Sequence, residues 1–306
     1  MSTLEHSGIA KLATLATTPT NKVPVNAAAQ TKSEERFAED KRFEQMLESM
    51  RPLLQSLILP FLTFAGLVLI WVMVQQHLAT DLPTPAQVWQ QSLELFADPF
   101  YQAGPNDMGI GWQVLYSLGR VMLGFGLAVL VGIPVGFLMG MSPVCKRAWL
   151  PLVQILRPVS PLAWLPIGLL LFKAVDPSAI FVIFITAIWP VIVNTAAGVE
   201  AIPNDYMNVA RVLRLGRLEI ARRILIPATL PAIITGMKLS LGVAWMVIVA
   251  AEMLTGGIGI GFYIWDEWNN LNVSSIIVAI LIIGVVGILL ESLMSGLERR
   301  FNYNSH

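Results

Sequence analysis

Six ionisable residues interrupt stretches of sequence that are otherwise apolar: Arg120, Arg157, Lys173, Lys238, Glu252 and Glu291. A charge at the centre of a bilayer costs about 2.5–3.5 kcal/mol on insertion scales, so such residues usually face a cavity or a partner. Arg157 precedes Pro158, with Ser160 and Trp164 shortly after it, and Lys238 lies two turns past Pro231 with Ser240 close by. Cations beside helix breaks and hydroxyls can lower the barrier for a small anion. The alternative is that Arg157 and Lys238 snorkel to the cytoplasmic headgroups. Asn194 and Thr195 serve either as polar ties between helices, the preferred reading, or as pathway lining.

Covalent chemistry finds no support. No Gly-x-x-x-x-Gly-Lys-Ser/Thr occurs, and the glycines at 256, 257, 259 and 261 lack the lysine and the strand–helix setting of a phosphate loop. They read as a flexible turn at a helix break. His6, His77 and His306 are too far apart to suggest a metal site, and the one cysteine, Cys145, excludes an intrachain disulfide. There is no Ser-His-Asp arrangement, and no basic surface interleaved with aromatics for nucleic acid. The expectation is a chain that is not an enzyme and binds no cofactor or metal itself.

The elements that must position these residues are membrane helices. The chain is 55% hydrophobic and 13% charged, against roughly 25% charged in soluble domains. Spans are expected at about 57–74, 114–141, 150–172, 179–199, 230–253 and 274–293. At 1.5 Å per residue these runs match a hydrocarbon core about 30 Å thick, the first only just. The second span is rich in glycine, which lets helices approach closely. The third contains Pro151, Pro158, Pro161 and Pro166, and a helix broken at that depth must face protein or a water-filled cavity. Residues 75–111 and 239–298 contain no Lys or Arg. The positive-inside rule therefore puts the loops 75–111 and 254–273 outside and both termini in the cytoplasm. Within the first loop, 86–96 reads as an interfacial helix. Residues 1–50 lack the apolar stretch of a signal peptide and read as a largely disordered cytoplasmic extension; 51–306 form the transmembrane domain.

Between the fourth and fifth spans lies a basic segment, with Arg211, Arg214, Arg217, Arg222 and Arg223. Asn204 and Asp205 suit the start of a short helix. Tyr206, Val209, Ala210 and Leu213 fall on one face of it, and Gly216 closes it as a left-handed cap. A second short helix is expected to end at Pro227. A compact basic helix-turn-helix on the cytoplasmic side is suited to being gripped by a partner.

This segment resembles the cytoplasmic coupling loop of importer permeases of the ATP-binding-cassette superfamily. The family pattern is Glu-Ala-Ala, three residues, Gly, nine residues, then Ile-x-Leu-Pro. Asn208, Val209 and Ala210 stand at its start, Arg214 at the glycine position, and Ile224, Ile226 and Pro227 at its end. Ala210, Ile224 and Pro227 match; the departures are Asn for Glu, Val for Ala, Arg for Gly and Ile for Leu. Similarity extends over roughly 53–300. Leu82-Pro83-Thr84-Pro85, Ser117-Leu118-Gly119-Arg120, Gly132-Ile133-Pro134-Val135-Gly136 and the Leu156–Pro166 stretch look like permeases for nitrate, bicarbonate, sulfonates and taurine. Trp268 to Ser275 looks most like the nitrate/nitrite importers.

The resemblance implies an all-α membrane protein with six transmembrane helices and the type I importer permease fold. It implies two copies paired around a central path, two ATPase subunits, identical or different, and an external solute-binding protein. Tyr206, Met207, Asn208, Val209, Ala210, Arg211, Leu213, Arg214 and Gly216, within a coupling loop at 200–228, would meet the ATPases, which use ATP and magnesium. Arg157, Ser160, Trp164, Lys238 and Asn194 would line the path. The implied function is import of nitrate, and of nitrite with it, across a bacterial inner membrane. Bicarbonate, cyanate or a sulfonate fits the same architecture. A secondary transporter or channel would instead predict a second copy of the proline-rich 151–166 pattern, and none is found.

Overall fold

The computed structural model describes residues 56, 58–77, 81–104 and 107–301; the expected extension at 1–50 lies outside them. The chain divides into two units, Met1–Trp71 and Val72–His306. Helix α1, Ile58–His77, starts in the first and is long and apolar enough to cross a membrane.

The second unit is built from helices. α2, Pro85–Ala97, opens with a capping box in which Thr84 and Gln87 each bond the other's backbone. α3 (Ile110–Met141), α6 (Val175–Glu200), α9 (Ile226–Thr255) and α11 (Val273–Phe301) are the long ones, joined by α4 (Pro143–Leu156), α5 (Leu165–Phe172), α7 (Asn204–Val212), α8 (Arg217–Ile220) and α10 (Ile260–Asn269). Five helical stretches of the described chain, α1 included, can span a bilayer, and a sixth if a bent pair counts as one span. We call the end that carries 81–111 and 254–273 the outer end.

The glycines of α3 explain the core. A Cβ on Gly124, Gly136 or Gly140 would lie 2.6 Å from Ile183, Thr195 or Val199, and one on Gly132 would lie 3.0 Å from Val191. Positions four apart on α3 thus meet positions four apart on α6, and the two helices run side by side in the same direction with backbones nearly touching. Gly119 and Gly126 face open space. α9 runs against α6: Gly236 packs on Asn194 and Pro190, Gly198 packs on Ala232, and Ser240 Oγ donates to the Ala187 carbonyl at 2.6 Å.

Three expectations about breaks change. The third span is broken, as its prolines predict, but it starts before 150: Ser142 caps α4 at Cys145 N, with Pro143 in the first turn. Pro151 lies inside α4, and the chain turns through 98° between α4 and the helical stretch Pro161–Phe172, which opens with a 3-10 turn, Pro161–Trp164. Pro158 and Pro161 remove two donors and hold Ser160 extended, at φ −55° and ψ 130°. The helix after the basic loop does not end at Pro227. A π turn, Ala221–Leu225, carries α8 into α9; its wider turn accommodates a ring that would meet the carbonyl four residues back in a regular helix. Nor is the 256–261 stretch merely flexible, for reasons given with the site.

Candidate functional site

The basic loop holds a short, two-sided helix. Ala210 is buried at 1% exposure, whereas Tyr206, Val212 and Leu213 are 55%, 82% and 62% exposed. Asn208 is exposed too, and Met207, Val209 and Arg211 belong to the same helix. The Leu215 N–H bonds the Ala210 carbonyl at 3.0 Å, and Arg214 has φ +50°. This is the six-to-one closure of a helix through a left-handed residue. The left-handed cap is therefore Arg214, not Gly216, because the closing bond fixes the position. Gly216 instead opens α8, its N–H donating to Glu219 Oε2 at 3.3 Å. Arg214 occupies the glycine position of the coupling-loop pattern, so a residue with a Cβ stands where the backbone favours glycine. Beside α7 lies a cavity of about 600 Å³ lined by Pro203, Tyr206, Arg223, Pro227 and Pro231 among others.

The broken span presents its polar residues outward. Arg157 ends α4 and is exposed, as is Ser160; the Arg157 guanidinium makes no ion pair or side-chain hydrogen bond with the described residues. Trp164 is half-buried against Leu165, Val182 and Val247. Lys238 is placed differently. Its Nζ lies 3.3 Å from Glu298 Oε2 on α11, and Thr235 Oγ1 donates to Glu298 Oε1 at 3.1 Å. Asn194 donates to the Pro190 carbonyl at 2.8 Å within its own helix and packs on Gly236 of α9. Arg157, Ser160 and Trp164 thus lie together at the bend, and Lys238 and Asn194 lie elsewhere.

A constellation at the outer end draws in residues that sequence reasoning left apart. Arg120 of α3 pairs with Glu252 of α9 at 2.6 Å and with Asp176 of α6 at 2.7 Å. Ser117 Oγ lies 2.8 Å from Glu252 Oε2 and accepts the Ile260 N–H at 3.0 Å. Gly261 N–H donates to Glu252 Oε2 at 3.0 Å, and Gly259 N–H to Gln113 Oε1 at 2.6 Å. Arg120 also donates to the Ile258 carbonyl. Glu252 is 1% exposed and Arg120 is 7% exposed, so the two charges are largely withdrawn from water and each has several polar partners. Gly256, Gly257 and Gly259 have φ of +77°, +97° and +153°. A Cβ on Gly259 would collide with the Glu252 carboxyl, and one on Gly261 with the Val249 carbonyl. These glycines are required by geometry. The only signal in the sequence was the presence of opposite charges at 120 and 252; nothing in it paired them.

The outer mouth is polar. A cavity of about 400 Å³ is lined by Asp81, Gln87, Gln91, Glu94, Leu271 and Asn272 among others. Residues 271–274, within the Trp268–Ser275 stretch, line it at a corner: Leu271 is left-handed at φ +58°, and Asn272 caps α11, accepting the Ser275 N–H at 3.3 Å. Burial pushes the Glu267 carboxyl up from its ordinary value. Neighbouring Asp266 adds to this, while hydrogen bonds from Asn272, Ser275 and Tyr263 act against it. Burial likewise pushes the Tyr263 phenol up.

Residues 132–303 match the family described as the binding-protein-dependent transport system inner membrane component. The chain is 52% identical over 216 residues, 71% of this chain and 77% of the relative, to the nitrate import permease protein NrtB of Leptolyngbya laminosa. It is 43% identical over 256 residues, 83% and 92% of the two chains, to the bicarbonate transport system permease protein CmpB of Synechococcus elongatus. Among solved structures, inward-facing MetNI, a methionine ABC transporter, superposes with a TM-score of 0.54 at 17% identity, covering 62% of this chain and 94% of that one. That likeness supports the type I importer permease fold.

Proposed function

This chain belongs to the inner-membrane permeases of binding-protein-dependent transport systems, and we propose that it is the permease of an ATP-driven importer for nitrate, with nitrite as a second substrate. The observation that carries the substrate is the 52% identity to a nitrate import permease. Members of the family work with ATPase subunits and a substrate-binding protein. Two copies of this chain pair around the path, each termini-inward, and each offers its 204–227 loop to one ATPase. ATP and magnesium act on those subunits; the absence of a phosphate-loop motif here supports that division. Tyr206 and Leu213 are the contacts we assign to docking, since both are exposed on α7, and Ala210 holds the helix from beneath.

Along the path, Arg157 is the cation we assign to the anion. Arg120 is committed to Glu252 and Asp176, and Lys238 to Glu298. Arg157 sits beside the hydroxyl of Ser160 at a bend of 98°, where a helix break at membrane depth requires a wet or protein-lined space.

Bicarbonate is the second reading, favoured by the 43% identity to a bicarbonate permease over a longer alignment. Reconstitution in liposomes with the ATPase subunits and a supplied binding protein separates the two. ATP-dependent nitrate entry, competed by nitrite but not by bicarbonate, is expected. Entry of bicarbonate alone would keep the architecture and overturn the substrate. Entry without ATPase subunits would overturn the importer itself.

A further inference from the structure

The buried charges at the outer end take no part in the docking or anion contacts proposed above, yet the chain spends many polar groups on them. Three helices from distant parts of the sequence meet there. Arg120 comes from α3, Asp176 from the first turn of α6 and Glu252 from the last turns of α9. Arg120 and Glu252 act on one short segment, the loop between α9 and α10, and Asp176 holds Arg120. That segment donates its N–H groups at 259, 260 and 261 to Gln113, Ser117 and Glu252, and offers its carbonyl at 258 to Arg120.

We propose that Arg120, Glu252, Ser117 and Gln113 are the positioning residues of the outer gate. They pin the 256–261 loop, and α10 with it, to α3 and α6, so that the outer ends of α3, α6 and α9 turn as one body. Without these side chains the loop's consecutive backbone donors would be left unsatisfied out of water, which makes release costly unless all of them are satisfied elsewhere together. A cluster of this kind has two states, held or released, and little between. Glycine at 259 and 261 is what brings the loop backbone within reach of the Glu252 carboxylate.

The inner end offers a contrast that gives the cluster its role. There α9 begins in a π turn, a feature that tolerates rearrangement of backbone bonds, and α4 and α6 are bridged by an exposed Lys146–Glu200 pair at 2.7 Å. Motion delivered through the basic loop would be absorbed at the π turn if the outer ends of the helices slipped. Pinned together, they form the pivot against which the inner ends swing.

The test uses the full transporter in intact cells, with the importer reading of the preceding subsection supplying the transport assay. Ile260 is 0% exposed beneath the loop, so Ile260→Cys reports its release to a membrane-impermeant maleimide added outside. The chain's own Cys145 lies at the start of α4, at the opposite end. Adding Glu252→Gln, or separately Ser117→Ala, should raise the labelling rate roughly tenfold or more, because each removes partners from a buried network. In the same variants without the reporter, ATP hydrolysis by the assembled complex should persist while uptake per ATP falls. Unchanged labelling in both variants would overturn the proposal. So would faster labelling with uptake per ATP unaltered, since a merely structural tie predicts that outcome. Should Glu252→Gln fail to assemble, Ser117→Ala decides alone, because a missing hydroxyl leaves the ion pair in place. Labelling does not depend on which ion is carried, so failure of the nitrate reading would leave this result standing.

Discussion

The two ends of the helical core handle charge in opposite ways. At the outer end Arg120 and Glu252 are buried and bonded to side chains and backbone of three helices and a loop. At the inner end the basic loop leaves Tyr206, Val212 and Leu213 exposed and stores a left-handed Arg214. Groups that the chain satisfies by itself become fixed, because an unsatisfied charge out of water is too costly to keep. The exposed apolar groups on α7 are the ones the proposed ATPase docking would cover. The outer end is built for fixity and the inner end for contact.

The sharpest way to break this contrast is to remove one partner of the buried pair. Arg120→Ala should destabilise the protein by about 3–5 kcal/mol, leaving Glu252 uncompensated, read as a large fall in the thermal midpoint of the detergent-solubilised complex. A fall no greater than that of a surface substitution would mean water reaches the site. Next in size, Gly136→Val should cost about 1–3 kcal/mol by overpacking α3 against Thr195, measured in the same assay, with Gly126→Val as a control that faces open space.

At the inner end the expected losses are of function more than of fold. Leu213→Asp should keep the thermal midpoint within about 0.5 kcal/mol-equivalent of the parent, as surface changes do, while the ATPase subunits no longer co-purify. Ala210→Asp, which buries a charge, should lower both. Equal behaviour of the two variants would erase the distinction between the face that docks and the face that packs. Smaller still, Arg214→Gly should stabilise the loop by about 1 kcal/mol through relief of left-handed strain, seen as slower hydrogen exchange over 204–216.

The outer corner supplies a pH dependence. The Glu267 carboxyl is pushed up chiefly by burial, so the folded corner holds its proton more tightly than the unfolded chain. Its contribution is therefore fully present below the ordinary carboxyl range and is lost as pH rises through the folded value. Hydrogen exchange over 263–275 should quicken, beyond its intrinsic pH dependence, from about pH 4 upward. Glu267→Gln should remove that excess; an unchanged excess would assign it to another group.

The long spans were legible because apolar runs bounded by charge have only one stable setting in a bilayer. α3, α6, α9 and α11 appear close to their expected places, though each is longer, since turns at the interface extend helices beyond their apolar stretch. The basic loop was legible from its spacing. The breaks were less so: proline at 151, 190 and 231 lies inside helices, and a π turn carries the chain past Pro227. The left-handed cap moved from Gly216 to Arg214 because hydrogen-bond closure outranks residue preference.

The sequence by itself determined the class of protein and where its apolar spans and its basic loop lie, since each follows from local composition and periodicity. Only the tertiary structure decided which charges are free. Arg120 and Glu252 are 132 residues apart in the chain and 2.6 Å apart in space, and Lys238 meets Glu298 across 60 residues. Pairing at such separation depends on how helices stack, and the glycine stripe on α3, through its fit to α6, sets that stacking.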